Sequence, residues 1–136
     1  MTNKQEEPKL LRLIDANLNR LKEGVRVIED INRYLYNNQP ICQRLKAIRH
    51  LASVSDYDRL LTYRDIENDV LKKSTPSEME RKSPKDLLLA NYKRGQEAAR
   101  VLEEAFKLID PQKSEDFKTI RYELYALEKE NLLALN

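Results

Sequence analysis

Apolar residues recur along this chain with a helical period, in four separate stretches. The first runs from Lys9 to about Tyr36. At about 100° per residue, Ile14, Leu18, Leu21, Val25, Ile28, Ile31 and Leu35 fall on one face, with Asn17 and Gly24 among them. Asn37-Asn38-Gln39-Pro40 interrupts the pattern. Pro40 suits the first turn of a second helix, where its missing N–H would have no partner anyway. That helix is expected to reach about Val54, with Ile41, Leu45, Ile48 and Ala52 as its apolar stripe. Ser83-Pro84-Lys85-Asp86 marks the start of a third helix, with Ser83 as N-cap, and the pattern carries it to Ile109. Asp110-Pro111 breaks it, and Ser114 is expected to cap a fourth helix running to about Leu133.

The stretch from residue 55 to residue 82 is less regular. Ser55 and Asp58 suit a capping box for one short helix. Thr75-Pro76-Ser77-Glu78 reads as the start of another short turn, and Tyr63–Val70 is polar without a clear period. The pattern therefore predicts an all-α fold: a four-helix bundle made of two antiparallel helix hairpins, about 9–54 and 83–133, joined by a connector over 55–82. Residues 1–8 are expected to be a disordered lead-in to a single domain over 9–136.

Composition agrees with helices and removes several function classes. Of 136 residues, 40% are hydrophobic and 35% charged, and only Gly24 and Gly95 are glycine, too few turn residues for a β-sandwich. The net charge is +2, with both signs interspersed along the helices, which argues against a nucleic-acid binder. Cys42 has no partner for an internal disulfide and reads as a small helix residue, and His50, the only histidine, as a surface group. No signal-peptide stretch and no run of membrane-spanning length is present, so the expectation is a cytoplasmic protein without a membrane partner.

The two hairpins resemble each other in sequence. Ala16–Glu29 aligns with Ala90–Glu103 at a shift of 74 residues, with 7 of 14 positions identical. Unrelated segments would share about one. Leu45–Arg49 similarly resembles Phe117–Arg121. Gly24 and Ala98 are both small on the apolar face, which fits close helix approach. Glu29 and Glu103, with Arg26 and Arg100, are expected to form surface ion pairs of little worth. Asn17 and Asn91 fall near the centre of the apolar face, where an unpaired amide would cost roughly 1–3 kcal/mol. Arg20 and Arg94 lie one turn on, and Arg49 and Arg121 beside the stripes of the second and fourth helices. Two readings stand side by side. One is a buried Arg–Glu and amide network that fixes register, which the pattern alone favours. The other is an anion site in which these four arginines converge on phosphate oxygens. In the connector, Asp65 and Asp69 suit Mg²⁺ completed by phosphate oxygens, or an exposed polar loop. No Walker loop, dinucleotide fingerprint or kinase glycine-rich loop is present.

Leu13–Asp30, Leu45–His50, Arg64-Asp65, Ala90–Glu104 and Phe117–Tyr125 together are similar to a helical family of thiamine biosynthesis. That family occurs as an N-terminal extension of thiamine phosphate synthases and as a separate protein. The resemblance implies a hydroxymethylpyrimidine phosphate kinase, unrelated in fold to ribokinase-like enzymes, that uses ATP to make the diphosphate. This chain would be its stand-alone form. Under that reading Arg20, Arg49, Arg94 and Arg121 bind phosphate, with Lys93 beside them. Asn17 and Asn91 orient substrate, and Asp65 and Asp69 hold Mg²⁺. No general base is identifiable, and a loose transition state asks little of one. The family pattern after Arg64-Asp65 usually runs to Asp-Val-Gly, whereas Leu71 follows Val70 here. The alternative is a non-catalytic helical module that helps a thiamine phosphate synthase assemble or receive substrate. A homo-oligomer is compatible with either.

Overall fold

The computed structural model describes residues 6–75 and 80–135. Five helices form among them, with no strand: α1 (Glu7–Tyr34), α2 (Gln39–Leu51), α3 (Tyr57–Thr62), α4 (Pro84–Phe106) and α5 (Pro111–Leu133). The fold is all-α, as the periodicity predicts. No described helix is long and apolar enough to cross a membrane.

Helix boundaries follow their capping chemistry. α1 starts at Glu7, two residues earlier than expected, because Pro8 is accommodated in its first turn. The rest of the lead-in, residues 1–5, lies outside the described residues. Asn37 ends the α1 region with φ 52°, a left-handed conformation that asparagine tolerates. The Asn38 side chain then accepts the Ile41 N–H at 3.2 Å and caps α2. Ser83 caps α4 by accepting the Asp86 N–H at 3.2 Å. The cap of α5 is Asp110, which accepts the Lys113 N–H at 3.3 Å, not Ser114. Asp110-Pro111 is thus a helix start as well as a break. Ser114 instead lies inside α5, buried, and donates to the Glu103 carbonyl at 2.7 Å. The Ser55 capping box does not form, since α3 begins after Asp56 without a side-chain cap. The turn expected over Thr75–Glu78 lies almost wholly outside the described residues.

One core binds the helices. α4 packs against both α1 and α5, while α2 lies on α1 and touches α5. Leu21, Ile28, Leu45, Leu88, Leu102, Ile120, Leu124 and Leu127 are completely buried, each worth roughly 1.5–3 kcal/mol of apolar transfer. Phe106 and Phe117 stack with centroids 5.3 Å apart. Gly24 permits the α1–α4 approach. A Cβ there would lie 3.3 Å from the Asn91 carbonyl oxygen. A buried polar lock ties α1 to α5: Asn32 and Asn131 exchange amide hydrogen bonds at 2.8 and 2.9 Å, and the Tyr92 hydroxyl donates to Asn131 Oδ1 at 2.8 Å. Burial there pushes the Tyr92 phenol well above its ordinary pKa.

α2 has 13 residues and α1 has 28, so α2 cannot cover the whole of its partner. The connector covers the remainder. α3 buries Leu60 against α1, Arg59 pairs with Glu7, and Arg64 pairs with Asp15.

Candidate functional site

Where the connector returns to α1, a cleft of about 320 Å³ opens. Its α1 wall carries Lys9, Arg12, Asn17 and Arg20, spaced three to five residues apart and so on neighbouring turns of one face. Its other wall is Arg64, Asp65, Ile66 and Asp69. Two arginines hold these walls together. Arg12 donates from Nε and a terminal nitrogen to the Asp65 carbonyl at 3.3 and 3.0 Å. Arg64 grips the Asp15 carboxylate with two bonds of 2.7 and 2.9 Å. Asp15 is buried, so this fork also removes the penalty of an unpaired buried carboxylate.

Other polar groups in the cleft are not consumed by the fold. Arg20 and Lys9 are exposed and meet no carboxylate among the described residues. Asn17 is 4% exposed; its amide nitrogen donates to the Leu13 carbonyl at 2.9 Å, but its buried Oδ1 has no partner. A buried acceptor left so is costly, and a ligand N–H would satisfy it. Asp65 accepts from the Asn68 side chain at 2.7 Å and from the Asn68 N–H at 3.1 Å. Those bonds, the side-chain one first, hold its carboxyl below the usual carboxylate range. Asp69 accepts the Leu71 N–H at 2.9 Å. Leu71 has no left-handed φ, so the loop takes this shape without the glycine that the family pattern leads one to expect.

Of the residues singled out in the sequence, Asn17, Arg20, Asp65 and Asp69 therefore share one cleft. The others do not join them. Arg49 spends its fork on Glu29, at 2.9 and 3.1 Å, and Arg121 spends its own on Glu103, at 2.9 and 3.4 Å. These glutamates are buried, 6% and 4% exposed, rather than on the surface as expected. Packing of α2 on α1, and of α5 on α4, widens the buried face of each helix by one position beyond the apolar stripe. The four arginines accordingly do not converge. Lys93 is held by Glu128 at 3.1 Å. Asn91 donates to the Leu87 carbonyl at 2.8 Å, repeating the Asn17 bond, and Arg94 is exposed on α4. Lys9, Arg12 and Asp15 were not anticipated as site residues. Only Asp15 carries a local signal, a carboxylate one turn from both Leu11 and Leu18 on the apolar face.

As a metal site the cleft is incomplete by itself. Among the described residues no group of three or more His, Cys, Asp or Glu side chains is placed to hold a metal. Asp65 and Asp69 are the two carboxylates in the cleft other than Asp15, which is spent on Arg64.

A sequence profile of the ThiD2 family matches residues 12–130. Among curated proteins, the chain is 41% identical over 125 residues to a thiamine-phosphate synthase of Synechococcus sp. (strain CC9605), covering 90% of this chain and 35% of that protein. It is 39% identical over 126 residues to the thiamine-phosphate synthase of Nostoc sp. (strain PCC 7120 / SAG 25.82 / UTEX 2576), covering 92% and 36%. It is 40% identical over 120 residues to that of Synechocystis sp. (strain ATCC 27184 / PCC 6803 / Kazusa), covering 88% and 35%. The chain thus spans about a third of the length of the curated relatives it matches. No solved structure matches it significantly.

Proposed function

The chain belongs to the ThiD2 family, and on that premise we propose that it acts in thiamine biosynthesis as a helical module working with a thiamine-phosphate synthase. The name and the greater length of its relatives support this reading: each has about two thirds of its chain beyond the part matched here. The module would receive a phosphorylated pyrimidine in the α1–connector cleft.

The cleft favours a finer reading as well, phosphoryl transfer from ATP to hydroxymethylpyrimidine phosphate. The observation that carries it is the set of groups around one space: the uncommitted cations of Lys9 and Arg20, the unpartnered Oδ1 of Asn17, and the carboxylates of Asp65 and Asp69, which accept from neutral donors. Two phosphorylated substrates repel each other, and cations must offset that before in-line transfer. In this reading Arg20 and Lys9 hold substrate phosphate oxygens, and Asn17 Oδ1 accepts from the amino group of the pyrimidine. Asp65 and Asp69 would hold the Mg²⁺ that arrives with ATP, which supplies charge neutralisation at the transferring group. A substrate phosphate oxygen attacks the γ-phosphorus, the bond from that phosphorus to the bridging oxygen breaks, and ADP leaves. Arg64 and Arg12 are positioning residues that fix the connector wall. Arg94, exposed on α4, is the remaining candidate for a second phosphate. Arg49 and Arg121 act as clamps between helices.

The test is turnover of hydroxymethylpyrimidine phosphate with Mg-ATP, followed by chromatography of the diphosphate, with and without a thiamine-phosphate synthase. Diphosphate formed by this chain alone supports transfer in the cleft. No diphosphate, with binding of the pyrimidine phosphate retained, leaves the module reading. Absence of both product and binding overturns both.

A further inference from the structure

A second polar hollow lies on the other hairpin face. The groove between α1 and α2 encloses about 310 Å³ and is lined by Lys22, Arg26, Arg49, His50 and Ser53. It shares no lining residue with the connector cleft. Each of these side chains can donate a hydrogen bond, and none is a carboxylate.

The two guanidinium groups are already anchored. Buried Glu29 takes two bonds from Arg49 and one contact of 3.4 Å from Arg26, which leaves the other N–H donors of both for the groove they line. Glu29 offsets only one of the three positive charges of Lys22, Arg26 and Arg49. The end of α2 would ordinarily repel an anion, because its last carbonyls point outward. Here Lys113 neutralises that end, donating to the carbonyls of Ser53 at 2.6 Å and Leu51 at 3.4 Å.

The other hairpin supplies the control. Its corresponding groove keeps the clamp, with Arg100 and Arg121 on Glu103. At the positions matching Lys22, His50 and Ser53, however, it has Gln96, Tyr122 and Tyr125. The Arg121 guanidinium lies 4.9 and 5.9 Å from the two tyrosine rings, and Glu97 joins the lining. The clamp therefore needs neither the lysine nor the histidine. We infer that the α1–α2 groove is a second anion site, which binds a phosphate-class oxyanion through Lys22, His50, Ser53 and the free N–H donors of Arg26 and Arg49.

The experiment is a titration of the full chain with inorganic pyrophosphate, followed by backbone amide NMR. The expected result is saturable shifts at residues 22–26 and 49–53. In the K22Q/S53Y variant, which copies the other hairpin at two surface positions, affinity at these amides should fall at least about tenfold, since charge-assisted bonds are lost. The R20A variant should leave it unchanged. Shifts confined to Arg20, Asp65 and Asp69, or equal affinity in K22Q/S53Y and the parent chain, would overturn the site. Should K22Q/S53Y lose its native spectrum, K22Q alone gives the same comparison.

Discussion

The two hairpins are built alike and used differently. Each has an asparagine that donates to the carbonyl four residues earlier, and each has a buried glutamate gripped by an arginine from the following helix. Yet α3 of the connector packs on α1, and among the described residues it is Asn17 of α1 whose side-chain oxygen stands buried without a partner. Around Asn91, by contrast, the neighbouring cation Lys93 is tied to Glu128. Residues common to the two halves are thus mostly those that packing requires. The candidate cleft arises where the connector adds Arg64, Asp65 and Asp69 to the repeated Asn17 and Arg20.

The largest effect should come from breaking what they share. Replacing Arg121 by alanine leaves the buried carboxylate of Glu103 only its longer contact with Arg100, and unfolding in urea should report a loss of about 3 kcal/mol. Arg49→Ala should cost less, because Arg49 is 22% exposed against 12% for Arg121, so water relieves Glu29 sooner. Equal losses would show that the clamps are equivalent after all. Next comes the difference in chemistry. On the phosphoryl-transfer reading proposed above, Arg20→Ala should lower turnover about a hundredfold, or about 2.7 kcal/mol, with an unchanged melting temperature. A comparable loss from Lys93→Ala would erase the distinction between the halves.

A smaller contrast lies in the glycines. Gly24→Ala drives a Cβ toward the Asn91 backbone oxygen, and backbone yields poorly. It should destabilise by about 1 kcal/mol even after the helix gains from alanine. Gly95→Ala meets the flexible ends of the Leu124 and Leu21 side chains, at 3.2 and 3.7 Å, and should be close to neutral in thermal unfolding. The smallest effect concerns Asp65. Its folded pKa is depressed, so its contribution is present above the unfolded value of about 3.9 and is lost as pH falls through the lower folded value. Asn68→Ala should move the Asp65 titration, followed by carboxyl NMR, up toward that ordinary value.

Most of the helical architecture was legible because its signals are local. Ser83-Pro84 and the spacing from Ile14 to Ile28 each settle a helix within a few residues. Asp110 shows the limit: the same Asp-Pro pair both stops α4 and starts α5, and periodicity alone assigned the cap to Ser114. The site was half legible. Asn17 stood out as an amide on an apolar face, and Arg20 as its neighbour one turn away. Arg49 and Arg121 misled, because a guanidinium beside an apolar stripe looks the same whether it awaits phosphate or a glutamate from the adjoining helix. Asp15 carried a signal, a carboxylate on the apolar face, but Arg12 did not, since its partner lies 53 residues away in a segment without period.

The amide exchange between Asn32 and Asn131 spans 99 positions of the chain. During synthesis, α1 leaves the ribosome long before its partner exists. Until the last turn of α5 emerges, Asn32 has no amide opposite it and the Tyr92 hydroxyl has no acceptor. The first half alone therefore cannot complete this core: the last turn of α5 supplies the amide that closes it.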